Sequence, residues 1–110
     1  MNNPLFDLTG QTALVTGASR GLGQIFARAL ASSGADLILT SRSREDLLPF
    51  VAEIEAIGRK AVPLALDVRD QGSIERMAAE AEAACGQVHI LVNNAGCNVR
   101  KPALDVTWDD

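Results

Sequence analysis

No stretch of this chain approaches the roughly 18 consecutive apolar residues of a membrane-spanning helix, and Met1-Asn2-Asn3-Pro4 lacks the basic and apolar regions of a secretory leader. A cytoplasmic setting without membrane partners is therefore expected. Lysine and arginine total 10 against 14 acidic residues, a formal net charge of -4 with no long basic run. The counterion-release attraction behind general nucleic-acid binding thus has no source. Cysteine is scarce: Cys85 and Cys97 have neither metal-ligand spacing nor the density of a disulfide framework, and both read as reduced thiols. No Gly-Lys-Ser/Thr follows any glycine-rich turn, which excludes a P-loop.

What is present is a regular alternation within a chain of single-domain length, 110 residues, able to bury about 60% of its extended surface. Thr12-Ala13-Leu14-Val15-Thr16 is short, apolar and bounded by glycine, as expected of a strand buried on both faces. From Gly21 to Ser33 the apolar residues Leu22, Ile25, Phe26, Ala29 and Leu30 recur at helical spacing, with Gly34 placed as a C-terminal cap. Ala35 to Thr40 is a second strand, and Ser43, with acidic residues behind it, reads as the cap of a helix running to about Ile57 and stopped by Gly58. Pro49 is awkward in that helix but tolerable in its first turns. Ala61 to Leu66 is a third strand, placed at a sheet edge by Pro63. Asp70 caps a helix with Ile74, Met77, Ala78, Ala81 and Cys85 on one face, closed by Gly86, and Val88 to Val92 is a fourth strand.

Strands alternating with helices in this way imply right-handed crossovers and a doubly wound α/β parallel sheet, helices on both faces, in the order 3-2-1-4. That order brings the ends of the first and fourth strands together at a switch point, where open sheets bind ligands. Thr16-Gly17-Ala18-Ser19-Arg20-Gly21-Leu22-Gly23 lies on one side of it and Asn93-Asn94-Ala95-Gly96 on the other. A glycine-rich turn entering a helix offers unpaired backbone N-H groups and a helix dipole, worth up to about 2 kcal/mol to a nearby anion such as a pyrophosphate. Gly17 suits the sharp turn, Gly21 the close approach of phosphate, and Gly23 close packing of the helix. At the far end, Thr107-Trp108-Asp109-Asp110 resembles a helix start, so the sheet is expected to continue beyond its fourth strand.

Three of these segments in register, the Thr-Gly-x-x-x-Gly-x-Gly turn, Asp67-Val68 and Asn93-Asn94-Ala95-Gly96, resemble the short-chain dehydrogenases/reductases over essentially all 110 residues. The resemblance implies a Rossmann-type NAD(P)-binding domain over residues 1–110, truncated after the fourth strand. It implies that Asp67 accepts a hydrogen bond from the adenine amino group while the Val68 backbone meets the ring. Asn93 would brace the sheet, and Ala95 and Gly96 would leave room for ribose. On the residues alone, Asp67 serves equally as a strand end or turn cap, and paired asparagines tolerate left-handed turns.

An enzyme preferring NAD usually presents an acidic residue at the end of the second strand. Ser41 and Arg42 stand there instead, and Asp36 is at the wrong end of the strand. Arg42 and Arg20 can both face a 2′-phosphate, which makes NADP the expected cofactor, with NAD as the alternative. The family's catalytic Tyr, with Lys four positions on, has no counterpart: the chain contains no Tyr, and its lysines are Lys60 and Lys101. No catalytic residue is assigned, and the chain as given is expected to bind without turnover. His89, Cys97 and Trp108 are read as structural. The resemblance implies a hydride-transferring parent enzyme, homo-oligomeric, acting on a small alcohol or carbonyl such as a 3-oxoacyl thioester or a sugar or gluconate. A non-catalytic dinucleotide-binding regulatory module fits the same residues, and so, less well, does a methyltransferase, which would want an acid where Ser41 and Arg42 stand.

Overall fold

The computed structural model describes residues 7–94; the segment containing Ala95, Gly96, Cys97 and Thr107 to Asp110, and also Phe6, lies outside the described residues. Its elements are β1 (Thr12–Val15), α1 (Leu22–Ser32), β2 (Asp36–Ser41), a single 3-10 turn (Arg44–Leu47), α2 (Leu48–Ile57), β3 (Ala61–Ala65), α3 (Gln71–Cys85) and β4 (Ile90–Val92). All strands run parallel in the order β3-β2-β1-β4. The expected order is thus found, with Pro63 on an edge strand, where a missing N-H leaves no ladder bond unmade on the open side.

Alternation along the strands divides the core in two. Ala13, Val15, Leu37 and Leu39 face Ala27, Ala31, Leu47, Phe50 and Ile54, the layer of α1 and α2. Leu14, Ile38, Leu64 and Leu66 face Met77 and Ala81 of α3. Each fully buried Leu, Ile or Met here contributes roughly 1.5–3 kcal/mol by leaving water.

Of the expected apolar stripe of α1, Leu30 packs on the core, but Leu22, Ile25, Phe26 and Ala29 are exposed. Gly23, Ala27 and Ala31 are buried, whereas Leu22, Ile25 and Phe26 are 59%, 56% and 41% exposed. Small residues at i, i+4 and i+8 let the helix axis approach β1 and β2 closely, and that close approach decides the rotation of the helix over the count of apolar side chains. Arg28 then ties α1 to α2 from the solvent side, pairing with Glu53 and lying 5.1 Å over the Phe50 ring.

Ser43 does not cap a helix. Its hydroxyl donates to Glu45 Oε2 at 3.1 Å, and no side-chain bond caps the turn that follows. The interposed 3-10 turn delays α2 to Leu48, which moves Pro49 into the first helical turn, where its missing N-H costs nothing. Asp70 does cap, its carboxylate accepting from Gly72 N at 2.9 Å. The fourth strand is shorter than expected, and its start is held differently: His89 N donates to Thr12 O at 2.9 Å, while Thr12 N donates to His89 Nδ1 at 3.0 Å. An imidazole nitrogen thus stands in for a backbone acceptor where β1 meets the start of β4. Cys85 is a free, half-buried thiol. Among the described residues no helix is long and apolar enough to cross a membrane.

Candidate functional site

At the carboxyl end of β1 the chain is fastened on both sides. Thr16 N donates to Val92 O at 3.0 Å, and Ala18 N donates to Thr40 O at 2.9 Å, so the turn bridges β4 and β2. Thr16 Oγ1 accepts the Asn94 N-H at 2.7 Å. Its own single proton has Asn93 Oδ1 at 3.1 Å and Val92 O at 3.4 Å as acceptors. One hydroxyl therefore joins the first glycine motif to the asparagine motif that follows β4.

Within the turn, Gly17 at φ 63° and Gly21 at φ 64° adopt backbone angles that L side chains resist. The first bonds into α1, from Gln24 N and Ile25 N, both end on the Gly21 carbonyl at 3.1 and 3.3 Å. The N-H groups of Leu22 and Gly23 precede that ladder, and among the described residues no acceptor faces them. No acidic residue occupies the first turn of α1 and no side chain caps it, so among the described residues no cap or first-turn acid offsets the positive end of its dipole. Gln24 Nε2 donates to Ser19 O at 2.9 Å, pinning the outer arc of the turn. A Cβ at Gly21 would meet open space, whereas a Cβ at Gly23 would overlap the Gly17 carbonyl and touch Asn94 Nδ2 at 3.0 Å. Gly23 is required by the backbone behind it, and Gly21 by the angle of the chain beside open space.

This turn forms one wall of an open cleft of about 1040 Å3. Gly17, Ser19, Arg20, Gly21 and Leu22 line that wall; Thr40, Ser41, Arg42, Ser43 and Asp46 line a second; Leu66, Val68 and Asn94 complete it. The cleft sits over the carboxyl ends of the strands, at the point where strand order reverses, the position ligands take in doubly wound sheets. Of the residues singled out from the sequence, Gly23 and Asn93 hold the cleft from behind, and Ala95 and Gly96 fall outside the described residues.

Asp67 does not line the cleft either. Its Oδ1 accepts from Arg69 N at 3.0 Å and from Arg69 Nε at 3.1 Å, and its own N-H donates to Ser73 Oγ at 2.9 Å. The Arg69 side-chain bond, then its backbone bond, hold the Asp67 carboxyl below the usual carboxylate range; the nearby charge of Arg42 adds to this. Asp67 thus caps its own turn within the field of Arg42, while Leu66 and Val68 on either side line the cleft.

The residues that the sequence reading passed over are Thr40, Ser43, Asp46, Leu66 and Asn94. Leu66 and Asn94 adjoin motif residues, and Thr40 precedes Ser41, so adjacency was the available signal. Asp46 gave no such signal, since an acid in a first helical turn reads as dipole compensation. Ser41 Oγ donates to Ser43 O at 2.5 Å. With its one proton so used, the Ser41 hydroxyl faces a ligand as an acceptor.

A doubly wound parallel sheet with a capless glycine turn and an open cleft at its switch point is the architecture of a Rossmann-type α/β protein. A sequence model of the short chain dehydrogenase family matches residues 11–110, and the chain belongs to that family. It is 42% identical over 114 residues to gluconate 5-dehydrogenase of Gluconobacter oxydans (strain 621H), covering 100% of this chain and 44% of that protein. A short-chain type dehydrogenase/reductase from Mycobacterium marinum superposes with a TM-score of 0.81 at 35% identity, over 96% of this chain and 41% of that one. A metagenomic short-chain oxidoreductase in complex with NADP superposes at 0.78 with 45% identity, over 83% of this chain and 41% of that one. The chain therefore spans less than half the length of the relatives it matches.

Proposed function

We propose that this chain is the cofactor-binding part of an NADP(H)-dependent oxidoreductase whose substrate is an alcohol or carbonyl, such as a sugar acid or a 3-oxoacyl thioester. The observation that carries this reading is the uncapped, acid-free start of α1, opening on a cleft that holds Arg20 and Arg42. A pyrophosphate fits the free N-H groups of Leu22 and Gly23, and the open space at Gly21 admits it close to the backbone. Arg42, following β2, and Arg20 would face the 2′-phosphate. Leu66 and Val68 supply apolar surface for an adenine, and Asp67, next to them, would offer its remaining carboxylate acceptor capacity to the adenine amino group. Asn93 would brace β4 through Thr16 while Ala95 and Gly96 leave room for ribose.

When bound, the nicotinamide supplies hydride chemistry; this chain's residues bind it and fix its orientation. The similarity to gluconate 5-dehydrogenase and to an oxidoreductase solved with NADP supports both the reaction class and the cofactor. Calorimetric titration of the protein with NADPH, NADH and S-adenosylmethionine tests it. NADPH is expected to bind most tightly; binding of S-adenosylmethionine alone would sink the reading.

A further inference from the structure

The wall of the cleft that follows β2 carries both signs of charge. Arg42 and Asp46 both line it, and Asp46 is the one carboxylate among the described lining residues. Its neighbour Glu45 is turned back on the loop, accepting from Ser43 Oγ at 3.1 Å. Among the described residues the Asp46 side chain has no ion-pair or hydrogen-bond partner; its backbone N-H donates to Ser43 O at 3.2 Å. Ser41, with its proton committed to Ser43 O, is also an acceptor on this wall.

These groups sort ligands by chemistry. A phosphate monoester carries no donor at neutral pH beyond its minor monoanion; Arg42 attracts it, Asp46 repels it and Ser41 gives it nothing. A bare ribose hydroxyl is a donor, and Ser41 and Asp46 are both acceptors for it. Resting on the NADP(H) reading above, we infer that Asp46 is a specificity-determining residue, its carboxylate opposing Arg42 for the 2′-phosphate so that the cleft takes both NADP(H) and NAD(H). The preference is set by the pair, not by the arginine alone. Because both groups are solvent-exposed, the effect is modest, roughly threefold to tenfold in affinity, and falls as salt rises.

The test is a set of dissociation constants for NADPH and NADH, measured by calorimetry at low and high salt on the whole protein that carries this sequence. Wild type, Asp46→Asn and Arg42→Ala are compared, with unfolding midpoints as the control on folding. Asp46→Asn is expected to tighten NADPH roughly threefold to tenfold, to leave NADH unchanged or weaker, and to lose most of that gain at high salt. An unchanged NADPH/NADH ratio, or equal tightening of both cofactors, overturns the inference. The Arg42→Ala arm separates the two levels: a collapsed ratio there with no response at Asp46 refutes only the role of Asp46, whereas an unmoved ratio refutes the NADP(H) reading itself.

Discussion

The carbonyl of Gly17 stands where a Cβ on Gly23 would have to be. Neither atom can retreat cheaply, since Thr16 and Ala18 on either side of Gly17 are bonded to β4 and β2, and Gly23 is a buried residue of α1. Gly23→Ala is therefore expected to lower stability by about 1–3 kcal/mol through overpacking. It should also abolish dinucleotide binding by displacing the start of the helix. Gly21→Ala meets open space, and its cost is the strain of φ 64° with ψ -138°, a combination close to glycine-only backbone, about 1–3 kcal/mol. Denaturant melts of the two variants, beside NADPH titrations, distinguish collision from strain.

Arg42→Ala should weaken NADPH about tenfold or more, the value of one charge-assisted hydrogen bond, while NADH loses little. Paired titrations measure the difference directly. Equal losses for both cofactors would make Arg42 a general anion-attracting charge.

The ring of His89 gives the buried Thr12 N-H its acceptor. His89→Ala leaves that donor unpaired at the junction of β1 and β4 and is expected to cost about 1–3 kcal/mol. His89→Asn places an amide oxygen at a similar distance along the side chain and should recover most of the loss. If both variants melt alike, the ring nitrogen contributes no stability through this bond.

Asp67 is held below the usual carboxylate range by its bonds from Arg69. A depressed folded value means that its contribution is complete above the unfolded Asp value of about 3.9 and is lost as pH falls through the lower folded value. Asp67→Asn should thus flatten part of the acid limb of a plot of melting temperature against pH below about 4 and leave its shape near neutrality unchanged. Asp7, Glu45 and Glu53 are shifted in the same direction by bonds from Thr9, from the Glu45 backbone and then Ser43, and from Arg28 respectively, so the limb shrinks but persists. An acid limb identical to wild type would show that the Arg69 bonds do not couple to folding.

The strand order and the glycine turn were legible because local signals and topology agree there: short apolar runs, glycines at each boundary and the handedness of crossovers leave few alternatives. The facing of α1 was not legible. Hydrophobicity marks Leu22, Ile25 and Phe26 as apolar, but what the sheet accepts is shape, and Gly23, Ala27 and Ala31 supply it. Ser43 misled for a related reason. A hydroxyl ahead of acidic residues predicts a cap, yet Glu45 Oε2 lies within reach of that hydroxyl and takes its proton. Asp46 was hidden because a 3-10 turn stands between β2 and α2 and carries it to the cleft, a backbone feature that residue types at single positions do not display.

The small face of α1 has a consequence for ligand recognition as well as for packing. Gly23, Ala27 and Ala31 have no rotamers to change where they meet the sheet, so the N-terminal end of the helix is expected to hold its place before any ligand arrives. The free N-H groups of Leu22 and Gly23 are thereby preorganised, and the entropy of arranging them is spent during folding, leaving more of the contact energy to appear as affinity.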